Sequence, residues 1–441
     1  MGGARLSPPL GGSFVGVLGG GGGPPCAAAW RLKTQGHQVS VFEASRHIGG
    51  RARRIHSPNL GRDTDNGQHI MLGAYAVILG LMGEIGLDEA SRLERKDLDV
   101  ISADGHFRLR NRPLPAPFHV LTGLLGAQGL SWSQKIKLAR LCRWLMKQQW
   151  RTPAGLTVLQ LLEQHQQDKH VIRLFWQPLC VAAMNTPIEQ ACAQLFAHVL
   201  RDSLGGPRQA SQTLIPLTDL SQLWCEPALR DIQLQLGHRV QRLELTESGV
   251  HIDGLQFDAA IVACPPVQAA RLLHSLPSSP ASEQLLADLE AFSYIPIATL
   301  YLELEQAWNL PHSMLMLDDS SGSGGQWLFD HSALKPGSGE TLVGIVISDA
   351  VRLQALDREQ AIAAIIEQVR AQTQHLHAMP AVRASELIIE KRATFAAIPG
   401  LRRPGVTTPW PAIRLAGDWT DTGYPGVLEG AVRSGLKAAH L

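Results

Sequence analysis

The feature that most restricts the fold is a glycine-rich loop between two short apolar segments near the start of the chain. The pattern predicts a strand from Phe14 to Leu18, then the loop GGGGGPPC, then a helix that begins near Ala27. A second predicted strand, from Gln38 to Phe42, ends at Glu43. In such a βαβ unit, glycines let backbone N–H groups approach a pyrophosphate at the helix N-terminus, and the terminal acid binds ribose hydroxyls. The stretch therefore predicts a dinucleotide-binding unit.

The glycine spacing fits a dinucleotide fingerprint at two of its three positions. Counted back from Glu43, the fingerprint glycines fall at positions 20, 22 and 25, where Gly20 and Gly22 are present. The third position holds Pro25, which follows Pro24. Because proline has no N–H to offer a phosphate, we expect weakened cofactor binding. Two alternatives stay open, a flexible glycine linker and a short out-of-frame segment at GGGGPPC.

Composition sets the size and class of the protein. The 441 residues exceed what one hydrophobic core supports, so two domains are expected, and the net charge of +1 argues against nucleic-acid binding. Six scattered cysteines without a C-x-x-C pair indicate reduced cysteines and neither a zinc site nor a disulfide framework. The N-terminus has no apolar signal-peptide core, and no apolar span of 18 residues crosses a bilayer. We expect a cytoplasmic protein without a metal.

Elements of the nucleotide-binding type recur at three places along the chain, which predicts interleaved domains. The fold class is α/β, with a Rossmann-like dinucleotide-binding domain and an α+β substrate domain. The substrate domain is mostly helical in its first segment and holds a mixed or antiparallel sheet in its second. The predicted segments are a disordered lead (1–13), the dinucleotide-binding domain (14–75, 215–270 and 405–441) and the substrate domain (76–214 and 271–404).

A basic segment interrupts the otherwise neutral chain. Residues 105–162 hold nine Lys or Arg and no Asp or Glu. A helix is predicted from Ser131, because Ser131 and Gln134 have capping-box spacing. Basic and apolar side chains fall on two faces of that helix, namely Lys137, Arg140, Lys147 and Arg151 against Trp132, Ile136, Ala139, Met146 and Trp150. The pattern is typical of a protein that binds an anionic membrane surface, although an ordinary solvated helix face stays open.

The last thirty residues repeat the strand, turn and helix pattern. After a predicted strand from Ile413 to Ala416, Gly417 permits a tight turn and Asp418 presents a carboxylate. A helix predicted to start near Gly426 carries small residues at four-residue spacing, namely Gly426, Gly430, Ser434 and Ala438. Such a helix lies close to a flat ring or a sheet, and its N-terminus carries partial positive charge.

These elements together resemble the superfamily of FAD-dependent amine oxidases and carotenoid desaturases, over almost the whole chain. The similar features are the βαβ unit with Glu43, the GGRAR stretch from Gly49, and the terminal Gly417-Asp418 pair with its glycine-rich helix. Within that superfamily, three longer stretches resemble the hydroxysqualene dehydroxylase branch, namely Asp65 to Tyr75, Phe175 to Ala191 and Gly417 to Gly435.

The resemblance implies the cofactor and its contacts. FAD is the expected cofactor, and the expected contacts come from all three segments of the nucleotide-binding domain. These residues are Gly20, Gly22, Glu43, Ala44, Gly50, Arg51, Val240, Gly417, Asp418, Gly426 and Val427.

The resemblance also implies a reaction in bacterial squalene and hopanoid biosynthesis. Reduced FAD would remove the allylic hydroxyl of hydroxysqualene, which needs a proton donor and an apolar cavity. His69, Asp65 and Tyr424 lie in stretches that resemble flavin-facing loops, but none of them is singled out as the donor. The helical segment would form a tunnel for the long isoprenoid substrate, and residues 105–162 would place the protein at the inner face of the membrane. The electron donor stays unassigned.

Two other activities of the same fold stay open. A carotenoid-type desaturase or an amine oxidase would pass a hydride from substrate to FAD, and sequence does not give the direction of transfer. A non-catalytic carrier of isoprenoid lipids would need no FAD, which the Pro24-Pro25 pair allows.

Overall fold

The structure is a computed structural model in which five ranges of the chain are described. Those ranges are 13–19, 22–116, 118–320, 324–335 and 337–441. Two sequence predictions, the lead over residues 1–12 and the contact at Gly20, lie outside the described residues.

The described residues form twenty strands, most of them short. In chain order they are β1 (Phe14–Leu18), β2 (Gln38–Glu43), β3 (Arg54–Ser57), β4 (Arg62–Asp65), β5 (Met71–Leu72), β6 (Leu93–Lys96), β7 (Asp99–Ile101), β8 (Arg108–Arg110), β9 (Thr213–Pro216), β10 (Gln233–Leu236), β11 (Leu243–Thr246), β12 (Gly249–Ile252), β13 (Leu255–Phe257), β14 (Ala259–Val262), β15 (Tyr294–Leu304), β16 (Met314–Met316), β17 (Trp327–Asp330), β18 (Leu342–Ile347), β19 (Val382–Phe395) and β20 (Ile413–Leu415).

The same ranges contain fifteen α-helices, together with 3₁₀ turns at Arg208–Ser211 and Arg352–Ala355 and π-helical turns at Ile172–Trp176 and Ser221–Cys225. In chain order the α-helices are α1 (Gly23–Thr34), α2 (Ala76–Glu84), α3 (Glu89–Arg92), α4 (Phe118–Leu125), α5 (Trp132–Lys147), α6 (Val158–Gln164), α7 (Lys169–Val171), α8 (Gln177–Met184), α9 (Ala193–Ser203), α10 (Glu226–Ala228), α11 (Pro266–Leu273), α12 (Pro280–Glu290), α13 (His331–Leu334), α14 (Arg358–Thr373) and α15 (Leu428–Ala438).

A five-stranded parallel sheet organises the first layer. Its strand order is β10-β2-β1-β14-β20, and every neighbouring pair is parallel. One face of this sheet packs on α1 and α15, and the other face packs on the small antiparallel sheet β11-β12-β13. All four residues of β14 are buried. The five strands come from the three segments 14–75, 215–270 and 405–441. The α/β fold class predicted from the sequence is confirmed.

Helix α1 begins earlier than the predicted Ala27. It starts at Gly23, with Gly22 as its N-cap and Pro24 and Pro25 in its first turn. Prolines are tolerated there because the first N–H groups of a helix have no intrahelical partner and the proline φ is already helical. Residues Gly23 to Pro25 are therefore helical and are not part of a flexible linker.

The second sheet is antiparallel and is built from strands between Tyr294 and Phe395. Its order is β16-β17-β18-β15-β19, and all of its neighbouring pairs are antiparallel. Helix α14 packs on it over a core that includes Leu300, Ile345 and Ile365. Helices α4 to α9 form a helical layer, and this layer and the second sheet both line one space beside the parallel sheet.

Helix α15 begins at Leu428, with Val427 as its N-cap, two residues after the predicted start at Gly426. The small residues on α15 let it pack closely on α1. A Cβ added at Gly435 would lie 2.2 Å from the carbonyl oxygen of Pro24. Helices α1 and α15 are therefore held against each other.

Glu429 on α15 holds the start of α2, which predicts a large effect on stability. Its buried carboxylate accepts the N–H groups of Val77 and Ile78, both at 3.1 Å, and pairs with Arg433 at 2.9 Å. We expect Glu429→Ala to lower the free energy of unfolding by about 3 kcal/mol, because buried donors lose their acceptor. Glu84→Ala removes an exposed ion pair with Arg31 and should cost less than about 1 kcal/mol. Urea titrations give the free energy of unfolding of both variants. Equal losses of unfolding free energy in the two variants would contradict this role of Glu429.

Candidate functional site

One large cavity lies between the two sheets and the helical layer. Its volume is about 1150 Å³. Small-molecule sites in proteins are typically about 300 to 1000 Å³. The cavity therefore has room for more than a single small ligand.

One end of the cavity lies at the carboxyl ends of the parallel strands, where open α/β sheets bind ligands. All ten predicted cofactor contacts within the described residues line it. These are Gly22, Glu43, Ala44, Gly50, Arg51, Val240, Gly417, Asp418, Gly426 and Val427. The structure thus brings three distant segments of the chain to one wall, which we call the nucleotide end.

Two glycine loops meet closely at the nucleotide end. Gly50 has a φ of +60°, and a Cβ added to it would lie 3.1 Å from the Cα of Gly22. Gly49, just before it, has a φ of +111°. The two backbones form a bare cradle that any side chain would fill, as a pyrophosphate site requires.

The first turn of α1 offers fewer N–H groups to that cradle than the usual dinucleotide helix. Pro24 and Pro25 have no N–H, and the N–H of Cys26 donates to the carbonyl of Gly22 at 3.2 Å. Among Gly23 to Cys26, the first four residues of α1, only Gly23 then has an N–H group that can bind an anion.

Arg51 and Asp418 form an ion pair in the wall of the cavity. The Arg51 Nη2 lies 2.6 Å from Asp418 Oδ1, and Nη1 donates to the carbonyl of Ala393 at 2.7 Å. Burial lowers the pKa of Arg51, but the Asp418 carboxylate outweighs burial and raises it. The guanidinium is therefore held charged where a diphosphate or the polar edge of a flavin would bind.

Arg403 holds the loop that carries Asp418. Its guanidinium donates to the carbonyls of Asp418 at 2.7 Å, Trp419 at 3.2 Å and Tyr424 at 2.6 Å. It also lies over the ring of Phe395, with its Cζ 4.7 Å from the centroid. Nothing in the sequence pattern singled out Arg403, because its partners are defined only by the folded loop.

His69 is the one predicted proton-donor candidate that lines the cavity. Its Nδ1 lies 2.7 Å from the carbonyl oxygen of Gly67, so Nδ1 carries the proton of the neutral ring. Burial lowers the pKa of His69, which favours that neutral form. The remaining nitrogen, Nε2, is then an acceptor, and His69 in this state is a poor proton donor.

Asp65 and Tyr424, the other two candidates, are not among the residues that line the cavity. Asp65 Oδ1 accepts the N–H of Leu220 at 2.9 Å. The Tyr424 hydroxyl donates to Asp202, and its ring lies under Arg433. Both side chains are occupied with structural contacts, so the structure does not bring the three candidates together.

The pKa of Asp65 predicts a pH-dependent stability. Burial raises this pKa from 3.8 to about 7, and the neighbouring Asp219 adds to the effect. The folded protein holds the proton more tightly than the unfolded chain, so stability is lost as the pH rises through about 7. Asp65→Asn keeps an acceptor for Leu220 but has no proton to lose. We subtract the free energy of unfolding of the wild type from that of Asp65→Asn at each pH. This difference should rise by about 3 kcal/mol from pH 5 to pH 8. Urea unfolding at both pH values measures this, and a constant difference would contradict it.

Two hydrogen-bond donors that sequence reasoning did not select also line the cavity. The hydroxyl of Tyr294 is buried without a protein partner, and burial raises its pKa to about 12. Gln68 Oε1 lies 2.9 Å from Nε2 of His331, whose pKa burial lowers to about 4. Because a neutral His331 donates from Nε2 to the Oε1 atom of Gln68, the amide NH₂ group of Gln68 can donate to a ligand. Gln68 lies inside the DNGQHI stretch, whereas Tyr294 carries no sequence signal.

The other end of the cavity is apolar and is built from the helical layer. Helices α4, α5 and α8 and the π-helical turn before α8 supply its walls. The apolar residues there include Leu121, Leu124, Leu138, Ala139, Cys142, Met146, Leu174, Phe175, Leu179 and Ala183. A long apolar ligand fits this end, and it would reach the nucleotide end without leaving the cavity.

Comparisons with known proteins agree with this geometry. The model of a family described as flavin containing amine oxidoreductase matches residues 27–441. A hydroxysqualene dehydroxylase of Rhodopseudomonas palustris is 30% identical over 94% of this chain and 95% of its own. A 15-cis-phytoene desaturase of Solanum lycopersicum is 22% identical over 96% of this chain and 76% of its own.

Solved structures have the same fold. An oxidoreductase from Methanosarcina mazei superposes with a TM-score of 0.75 at 15% identity, over 97% of this chain and all of that one. A putrescine oxidase redesigned in its cofactor binding superposes with a TM-score of 0.71 at 16% identity, over 97% and 98% of the two chains.

Proposed function

Because the chain belongs to the flavin-containing amine oxidoreductase family, we propose that it reduces hydroxysqualene to squalene with FAD as its cofactor. The chain is a flavin-dependent oxidoreductase, and relatives named hydroxysqualene dehydroxylase match it over almost its whole length. The observation that carries the proposal is that one continuous cavity joins the nucleotide end to the apolar end.

The residues at the nucleotide end fit FAD. Glu43, at the end of β2, is suited to the adenosine ribose, and the cradle of Gly22 and Gly50 to the pyrophosphate. Arg51 and Asp418 would hold the polar groups between pyrophosphate and ring. When bound and reduced, the flavin supplies a hydride.

The proposed reaction replaces an allylic hydroxyl by hydrogen. The C–O bond breaks, the oxygen takes a proton and leaves as water, the carbon takes a hydride, and the two electrons come from the reduced cofactor. The chain's part is to exclude water and to assist the leaving oxygen. Tyr294 and Gln68 are donors in the cavity wall, and Tyr294 keeps its proton at neutral pH because its pKa is raised.

Product analysis tests the proposal. Protein reconstituted with FAD and reduced without oxygen should convert hydroxysqualene to squalene, measured by gas chromatography and mass spectrometry. Phytoene and a primary amine, offered to the oxidised protein, should remain unchanged. Oxidation of either compound, together with no squalene, would contradict the assignment.

A carotenoid-type desaturase is the second candidate, since a relative named 15-cis-phytoene desaturase also matches most of the chain. It would use the same cavity with hydride transfer from substrate to cofactor. A carrier that lacks catalysis has less support, because the cradle and the Arg51–Asp418 pair are present. Purified protein that stays colourless after incubation with FAD would favour the carrier.

A further inference from the structure

Large apolar side chains are exposed mainly on one surface of the protein. Among the described residues, seven of the thirteen exposed large apolar side chains lie between positions 114 and 146. The seven are Leu114, Phe118, Leu121, Leu125, Trp132, Ile136 and Met146. Single exposed apolar residues are normal on a protein surface, but a concentration of this kind marks an interaction site. We call this surface, formed by α4 and α5, the α4–α5 surface.

Helical spacing places these residues on two continuous stripes. On α4, Phe118, Leu121 and Leu125 are three and four residues apart and share the exposed face. On α5, Trp132 and Ile136 begin a stripe that continues through the exposed cations Arg140, Arg143 and Lys147. The surface is therefore apolar at one end and cationic at the other.

Lys135 joins the two helices and is not part of the exposed charge. It is buried, and its Nζ donates to the carbonyl of Leu125 at the end of α4, at 2.9 Å. The same Nζ lies 4.9 Å from the ring centroid of Trp132. The contact fixes Trp132 and the end of α4 in one surface.

The cavity opens on this surface. Leu121, Arg143 and Met146 are exposed, and all three also line the cavity. A long apolar molecule that enters there would pass from the α4–α5 surface into the apolar end of the cavity.

We propose that the α4–α5 surface docks the protein on an anionic lipid bilayer, with the cavity mouth toward the acyl chains. Phe118, Trp132 and Ile136 would lie among the headgroups, and Arg140 and Lys147 would contact lipid phosphates. That the docked protein takes its substrate from the bilayer rests on the proposed function. No helix within the described ranges is long and apolar enough to span a bilayer.

Charge favours a bilayer over a second copy of the chain as the occupant. Residues 105–162 contain nine basic and no acidic residues, so a second copy of this segment would bring no carboxylate to pair with Arg140 or Lys147. Anionic headgroups supply that negative charge, and the acyl region accepts the apolar stripe.

Vesicle sedimentation of the full-length flavin-loaded protein tests the docking without any measurement of turnover. Wild-type protein should sediment with vesicles of phosphatidylcholine and phosphatidylglycerol. Arg140→Gln with Lys147→Gln should weaken this binding about 30-fold, given the contribution of each cation near an anionic surface. The matched control, Arg352→Gln with Arg370→Gln, removes two exposed cations elsewhere and should bind like wild type.

The apolar stripe has its own matched pair. Phe118→Ser with Ile136→Ser removes side chains that are 55% and 48% exposed. Leu255→Ser with Leu356→Ser removes two that are 52% and 49% exposed on other surfaces. The first pair should abolish sedimentation, and the second should not change it. All four side chains are exposed, so thermal unfolding of both variants should match wild type.

Three results would overturn the docking. The first is equal binding of all variants, and the second is no sedimentation of the wild type. The third is a dimer, detected by light scattering, that buries the apolar side chains of the α4–α5 surface. Turnover of substrate in detergent is measured separately. Squalene formation in detergent without vesicle binding would reject the docking alone, and vesicle binding without turnover would reject the proposed function alone.

Discussion

Replacement of Gly50 by valine should weaken the binding of FAD at least about 100-fold and leave the purified protein colourless. Gly50 lies at the point where the two loops of the cradle meet, and its added Cβ would be 3.1 Å from the Cα of Gly22. Gly22 is the N-cap of α1 and cannot move away without moving that helix. The γ carbons of valine would occupy the space that a pyrophosphate needs. Titration of the apoprotein with FAD, followed by absorbance and fluorescence, gives the affinity.

Gly61 supplies a matched control for the backbone strain. Its φ of +64° is almost that of Gly50, but an added Cβ at Gly61 has nothing within 4 Å. Gly61→Val therefore carries the same left-handed strain away from the cavity. It should retain wild-type FAD affinity. Equal affinities of the two variants would contradict the placement of the cofactor.

Replacement of Ala183 by tryptophan should lower turnover at least about 100-fold while flavin binding stays unchanged. Ala183 lies on α8 in the apolar end of the cavity, far along the chain from the residues of the nucleotide end. An indole there would fill the space for an isoprenoid chain, and a close-packed wall does not relax to restore it. Steady-state turnover and the flavin spectrum measure the two effects separately.

The size of the side chain should set the size of this effect. Ala183→Val should retain most of the activity, because it fills less of the cavity. Ala90→Trp, at an exposed position on α3, controls for the introduction of an indole and should be fully active. Full activity of Ala183→Trp would show that the substrate does not use this end of the cavity.

The sequence predicted the local parts of the site well. The strand, loop, helix and acid of the βαβ unit are consecutive, so their pattern is visible before folding, and the parallel sheet follows from it. The Gly417-Asp418 turn was predicted for the same reason. The start of α1 was wrong by four residues, because prolines were taken to lie before the helix when they can occupy its first turn.

The parts of the site that depend on distant contacts could not be predicted. Gln68 meets His331 across 263 positions of the chain, and Arg51 meets Asp418 across 367. Tyr294 has no motif around it and is placed only by the start of β15. Asp65 and Tyr424 were selected from neighbouring motifs, but packing turned their side chains to Leu220 and Asp202. The weaker FAD affinity expected from Pro24 and Pro25 stays a prediction.

A single turnover without oxygen tests directly whether the reduced flavin gives its hydride to hydroxysqualene. Protein with reduced FAD is mixed with hydroxysqualene, and the flavin absorbance and the products are followed together. The absorbance of oxidised flavin should return while squalene forms in an equal amount. A flavin that stays reduced in the presence of hydroxysqualene, while oxidised flavin is bleached by phytoene, would contradict it.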